Sequence, residues 1–206
     1  MSLETWLAFL GASALLVMLP GPTILTVISY SIAQGRRARL PLVLAVALGD
    51  STALLLSLLG LGALLAASAF WFTVVKTVGG LYLLYLGFKL LRAGVSPSTL
   101  PAAASGSRWK LFANTYLVTA LNPKGIIFFV AFLPQFIDPA GDVTRQLWIL
   151  SATFVVCAGI NATAYAIFAG SARRLLASPR AQRGFNLGGG TLLSAAGVWA
   201  LLARRV

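Results

Sequence analysis

The sequence predicts an all-α integral membrane protein, and three observations carry that expectation. Hydrophobic residues fill 59% of the 206 positions and charged residues only 10%. The mean hydropathy is +0.90. The apolar runs reach the roughly 20 residues that a helix needs to cross a bilayer. Four of these runs, Thr5 to Gly35, Ser51 to Val75, Gln146 to Ala172 and Gly184 to Ala203, contain no charge at all. Two more are broken only by Lys76 and Lys89, or by Lys124. Six transmembrane helices follow, near 5–29, 40–66, 70–92, 111–137, 147–170 and 185–203. They leave no room for a separate soluble unit, so residues 1–206 form a single transmembrane domain.

The first helix has no basic residues ahead of it and is too long for a cleaved signal segment, so it reads as an uncleaved span. Pro20-Gly21-Pro22 interrupts it about 15 residues in. The second helix carries Asp50, the one deep carboxylate, about ten residues from its start, which is roughly 15 Å at about 1.5 Å per residue. In the third, Lys76 and Lys89 lie near enough to the helix ends to reach the headgroups. A linker over about 94–110, rich in Ser, Ala, Pro and Gly from Gly94 to Ser107, then joins a first half over about 1–93 to a second over about 111–206. The fourth helix is interrupted by Asn122-Pro123-Lys124-Gly125 and sets Lys124 about as deep as Asp50. The fifth carries Asn161. The sixth opens with Gly184 and Gly188, a G-x-x-x-G that reads as packing within the subunit, with a homo-oligomer face as the alternative.

The formal charge of +12 does not describe a nucleic-acid surface, because the cations sit in short clusters between apolar runs. They follow the positive-inside pattern instead. Arg36, Arg37 and Arg39 follow the first helix; Arg92, Arg108 and Lys110 the third; Arg173, Arg174, Arg180 and Arg183 the fifth. These loops are assigned to the cytoplasm and both termini to the outside, against the weaker contrary weight of Arg145, Arg204 and Arg205. Composition also removes chemistries. Cys157 is the one cysteine and histidine is missing, which excludes an internal disulfide, a Cys/His zinc site and a thiol relay. No G-x-x-x-x-G-K-[ST] phosphate loop is present, and a hydrolase lacks its commonest base. No cofactor, resident metal or enzyme activity is expected.

Gly79-Gly80-Leu81-Tyr82-Leu83 in the third helix aligns with Gly189-Gly190-Thr191-Leu192-Leu193 in the sixth at a shift of 110, which also pairs Gly87 with Gly197 and Gly49 with Gly159. Chance likeness between Gly- and Leu-rich helices is the competing reading. Related halves of three spans each must insert with opposite orientations, giving two three-helix inverted repeats whose first helices are both interrupted. Proline removes a backbone donor, and a neighbouring glycine permits unwinding. One such site is usually a kink, whereas two at matching places point to a ligand site near the bilayer midplane. Asn114, Tyr116, Asn122 and Asn161 serve there either as polar lining or, more commonly, as interhelical hydrogen bonds. For Asp50, the alternative to a functional role is a packing partner for Lys124 or for a freed backbone amide.

Pro20-Gly21-Pro22, the Gly35-Arg36-Arg37 loop, the string Tyr82-Leu83-Leu84-Tyr85-Leu86-Gly87-Phe88-Lys89, and Leu121-Asn122-Pro123-Lys124 followed by Phe128-Phe129 and Leu133-Pro134-Gln135-Phe136 occur in this order. Together they resemble the LysE/RhtB family of amino-acid exporters over nearly the whole chain, with the last span carrying the least of the match. The resemblance implies a secondary transporter of the bacterial cytoplasmic membrane that exports amino acids or close derivatives by proton antiport. It does not choose the substrate.

The residues support the same class from their own chemistry. A zwitterion needs an anion seat and a cation seat. Exposed helix N-termini at the two breaks offer amides and a positive dipole end, and Lys124 adds a full charge. Asp50 takes either the ammonium group or a proton, and competition between them is a minimal antiport mechanism. The substrate-binding set expected from sequence is Pro20, Gly21, Pro22, Asp50, Asn122, Pro123, Lys124 and Asn161, with Asp50 as the proton-coupling group. The rival reading is a small-cation transporter or channel with Asp50 as ion ligand, although such sites usually gather several carboxylates or carbonyls.

Overall fold

A computed structural model describes residues 1–67, 69–94, 107–138 and 140–202, of which 61–67, 69, 71, 72, 75 and 76 are described by their backbone alone. Most of the 94–110 linker, the Lys76 side chain, and Arg204 and Arg205 lie outside that description. Helices dominate and no strand occurs among the described residues. The order is α1 (Leu3–Met18), α2 (Pro22–Gln34), α3 (Arg39–Ala67), α4 (Ala69–Arg92), α5 (Arg108–Ala120), α6 (Pro123–Ile127), α7 (Val143–Ile167), α8 (Ala169–Ala177) and α9 (Pro179–Leu202). Among the described residues, Pro22–Gly60, Arg108–Phe136, Val143–Ile167 and Pro179–Leu202 are long and apolar enough to cross a membrane, and α1 is a shorter apolar helix. The chain is an all-α membrane protein.

Local chemistry sets the helix starts. Ser2, Ser107 and Asp142 each turn a side-chain oxygen to a backbone amide of the first turn, Thr5 N at 3.1 Å, Lys110 N at 3.3 Å and Arg145 N at 2.9 Å. Each bond satisfies a donor that has no intrahelical partner. Gly35, at φ 62°, ends α2 in a conformation open to glycine and leads through a 3-10 turn, Gly35–Ala38, into α3.

Three helix ends lie at least five residues beyond the expected ones. The first span runs to Gln34, the fifth bends at Phe168 and continues as α8 to Ala177, and the sixth begins at Pro179. Hydropathy marks the part of a helix that suits lipid, whereas polar turns such as Ala169–Ala177 stay helical because Ala169, Ala172 and Leu176 bury against Ile24 and Ile28 of α2.

Among the described residues, the most extensively packed helix pair is α4 with α9. A Cβ on Gly197 would come within 2.7 Å of the Gly80 carbonyl oxygen, and one on Gly190 within 2.8 Å of the Gly87 carbonyl oxygen. Numbers fall on α9 as they rise on α4, so the pair runs antiparallel. The shift of 110 exchanges these contacts, because it carries Gly80 to Gly190 and Gly87 to Gly197. The pairing of Gly49 with Gly159 finds no such echo. A Cβ on Gly49 would meet Thr119 Cβ at 2.7 Å, whereas Gly159 has open space beside it. Gly184 and Gly188 likewise meet nothing within 4 Å among the described residues, so the within-subunit packing expected for them is not found there.

A core of aromatic rings joins α1, α7 and α9 through the segment that continues α6. Phe9 of α1 meets Phe136 at 5.2 Å, Phe129 meets Phe154 of α7 at 4.7 Å, and Phe132 meets Trp199 of α9 at 5.1 Å between centroids. Phe128–Phe132 is a π-helical turn and Leu133–Phe136 a 3-10 turn, both continuing α6. Phe154 also faces the cavity described next.

Candidate functional site

Between α1 and α2 the chain is extended at Leu19 and Gly21. Pro20 and Pro22 have no N–H, so the carbonyls of Leu16 and Met18 lose the donors four residues on that a continuous helix would supply, while Leu16 O still accepts from Leu19 N at 3.2 Å. The extended backbone also denies Val17 and Leu19 their usual partners. Side chains from the second half of the sequence replace them. Lys124 Nζ donates to Leu16 O at 3.1 Å and Leu19 O at 3.0 Å, Asn161 Nδ2 to Val17 O at 2.8 Å, and the Tyr165 hydroxyl to Met18 O at 3.1 Å.

Across the break, α2 begins with Gly21 as a cap that offers no side-chain oxygen and with Pro22 in its first turn. The amides of Thr23 and Ile24 therefore have no intrahelical carbonyl. The second interruption is built differently. Asn122 caps α6 by accepting from Lys124 N at 3.1 Å, and its Nδ2 donates to Thr23 Oγ1 at 3.2 Å, so the two breaks touch. Pro123 stands in the first turn of α6, where its missing donor costs nothing.

These elements enclose a cavity of about 40 Å³ lined by Thr23 and Ile24, Asn122 and Lys124, Asp50 and Asn161, with apolar walls from Val46, Phe154 and Ala158. That volume suits a few waters and is smaller than an amino acid. α3 delivers Asp50, which is 9% exposed and has no hydrogen-bond partner among the described residues. Lys124 faces the same cavity and the opposite charges act on each other across it. They form no direct ion pair, since the ammonium is held by the α1 carbonyls.

The cavity thus gathers Asp50, Asn122, Lys124 and Asn161 between the interruptions made by Pro20, Gly21, Pro22 and Pro123. Asn114 and Tyr116 do not line it. Asn114 Nδ2 donates to Tyr30 Oη at 3.0 Å and Tyr116 Oη pairs with Thr52 Oγ1 at 3.1 Å, both as interhelical bonds. Sequence reasoning missed Thr23 and Tyr165. Thr23 directly follows the Pro-Gly-Pro break, and Tyr165 lies four residues after Asn161 on the same helical face.

Comparison with known proteins adds the family. The LysE type translocator model matches residues 14–204. The chain belongs to the LysE type translocator family. It is accordingly a translocator and not an enzyme. Among curated relatives of this family, the homoserine/homoserine lactone efflux protein of Salmonella typhimurium is 32% identical over 203 residues, covering 98% of each chain. The protein of the same name in Salmonella typhi is also 32% identical over 203 residues and 98% of each chain. An uncharacterized membrane protein of Vibrio cholerae is 31% identical over 186 residues, 90% of this chain and 91% of its own. No solved structure matches the chain.

Proposed function

We propose that this LysE-family translocator exports an amino acid or a close derivative across the bacterial cytoplasmic membrane in exchange for protons. The observation that carries the reading is the Asp50 carboxylate, without a hydrogen-bond partner among the described residues, set in one cavity with Thr23 and Ile24 of the uncapped first turn of α2. An α-ammonium group fits the carboxylate, and an α-carboxylate fits the amides together with the positive field of α2 and Lys124. Protonation of Asp50 from outside removes its attraction for the ammonium group and releases the substrate. The neutral carboxyl then permits the return of the empty carrier. Because the cavity is smaller than an amino acid, the two halves must part to admit one.

The whole chain acts as one transporter domain of six spans, α1 with α2, α3, α4, α5 with α6 and its continuation, α7 with α8, and α9. The exchange of the Gly80–Gly197 and Gly87–Gly190 contacts under the shift of 110 supports two inverted repeats, as does the placing of a proline-led half-helix in each. The arginine loops face the cytoplasm and both termini the outside. The exposed Gly184 and Gly188 leave a small-residue face for a second copy of the chain.

The name of the Salmonella relatives makes homoserine the first substrate to test. Vesicles containing the purified protein are loaded with labelled homoserine, and efflux is followed with and without an imposed proton gradient. Acceleration by external acid is the expected result. Metal-ion flux in the same vesicles without homoserine efflux would replace this reading by the small-cation one.

A further inference from the structure

We propose that Lys124 is a tethered cation. Its ammonium fills the seat on the α1 carbonyls that a free cation would otherwise take, so the carrier selects amino acids with an uncharged side chain and runs without sodium. The inference rests on the exporter reading above and narrows its substrate class.

The C-terminal end of a half-helix is a natural cation seat. Its last carbonyls lack intrahelical donors and carry the negative end of the helix dipole. In transporters built from broken helices, such ends ligate coupling ions. Here the seat is taken. Lys124 Nζ lies 3.1 Å from Leu16 O and 3.0 Å from Leu19 O, while Asn161 and Tyr165 occupy the Val17 and Met18 oxygens. The ammonium comes from α6, just past the second interruption, so the protein's own charge bridges the two breaks. A sodium ion would have to displace a cation already delivered at no cost in association entropy.

The acceptors that remain define the substrate. Asp50 is the one acidic side chain lining the cavity, and it has no hydrogen-bond partner among the described residues. One carboxylate seats one ammonium group. A dibasic amino acid brings a second into a space that already holds Lys124 and offers it no further anion, and like charges brought together out of water repel strongly. The walls that remain for a side chain, Val46, Phe154 and Ala158, are apolar. Lys124 keeps one N–H and its full charge for the substrate carboxylate.

The test uses the full-length protein in vesicles and counterflow of labelled homoserine. Unlabelled alanine and threonine should compete, lysine and ornithine should compete at least roughly tenfold more weakly, and replacing sodium by choline should leave the wild-type rate unchanged. Lysine or ornithine competing as well as threonine, or a wild-type rate that rises with sodium, overturns the proposal. Lys124→Ala empties the seat. The variant, once shown by immunoblot to be inserted, should gain stimulation by sodium or inhibition by lysine. An inserted Lys124→Ala carrier that exchanges homoserine and shows neither gain also overturns it. If that variant does not insert, Lys124→Arg, which keeps a cation on the carbonyls, must remain indifferent to sodium. A sodium-stimulated arginine variant counts against the tethered role. Movement of lysine in preference to neutral amino acids defeats this inference alone, whereas a wild-type protein that moves no amino acid of any kind defeats the exporter reading as well.

Discussion

Asp50, a buried carboxylate with no hydrogen-bond partner among the described residues, is the residue on which the proposed coupling turns. Asp50→Asn fixes the side chain in a form close to the protonated acid. The carrier should still change conformation, but the acceleration of homoserine efflux by a proton gradient should vanish, while slow exchange of labelled for unlabelled substrate persists. A mutant that still speeds up with the gradient places coupling on another group. The three side chains that dress the α1 carbonyls make a second set of predictions. Tyr165→Phe removes one hydrogen bond and nothing else, and such a bond between membrane helices contributes about 0.6 kcal/mol on average. It should lower the detergent melting temperature only slightly, and Asn161→Leu, which leaves a half-buried carbonyl bare, should lower it more. Asp50, Asn122, Lys124 and Asn161 were legible in the sequence because a polar residue at membrane depth stands out among Leu and Ala. Their partners were not. Lys124 was read as a charge for a substrate carboxylate, and its contacts with the Leu16 and Leu19 oxygens were invisible, because a backbone acceptor leaves no letter in the sequence.

The two interruptions show what a helix break does when it is built rather than tolerated. In the first, the prolines strip donors from α1 and a side-chain cap is missing from α2, so carbonyls and amides both stand free for other groups. In the second, Asn122 supplies its own cap. Pro20→Ala and Pro22→Ala each restore a donor toward α1, and Pro123→Ala relaxes the start of α6. We expect all three variants to reach the membrane and to transport at least roughly tenfold more slowly, since a misplaced binding group of this kind costs far more in function than in fold. Normal transport by all three would remove the breaks from the site. The interruptions were readable because Pro and Gly are strong breakers wherever they fall. The π turn at Phe128–Phe132 was not foreseen, although a cause lies in view: Pro134 offers no N–H to the preceding turn and its ring crowds the carbonyl four residues back. Helix ends were the least legible part, as the polar turns beyond Ser29 and before Gly184 carry little hydropathy signal and are set by packing.

At the scale of the molecule, the arrangement across the bilayer is tested by labelling. With Cys157 replaced by serine, single cysteines at Arg36, Arg108, Arg180 and Gly141 should react with an impermeant thiol reagent from outside only at Gly141. Labelling of the arginine positions instead would turn the protein over. The all-helical membrane character was readable from charge-free runs, whereas the way the helices pack was not, because a glycine at a close approach, such as Gly49, looks the same in the sequence as one with open space beside it, such as Gly159. The Gly80–Gly197 and Gly87–Gly190 contacts have one more consequence. Each half contributes both members of a mutually complementary surface, which is the logic of an isologous dimer interface drawn within a single polypeptide. Recognition between the halves then resides in that surface and not in the peptide bonds that join them. Residues 1–94 and 107–206, produced as two separate chains in one cell, should find each other in the membrane and co-purify, and a bulky Gly190→Leu in the second fragment should part them.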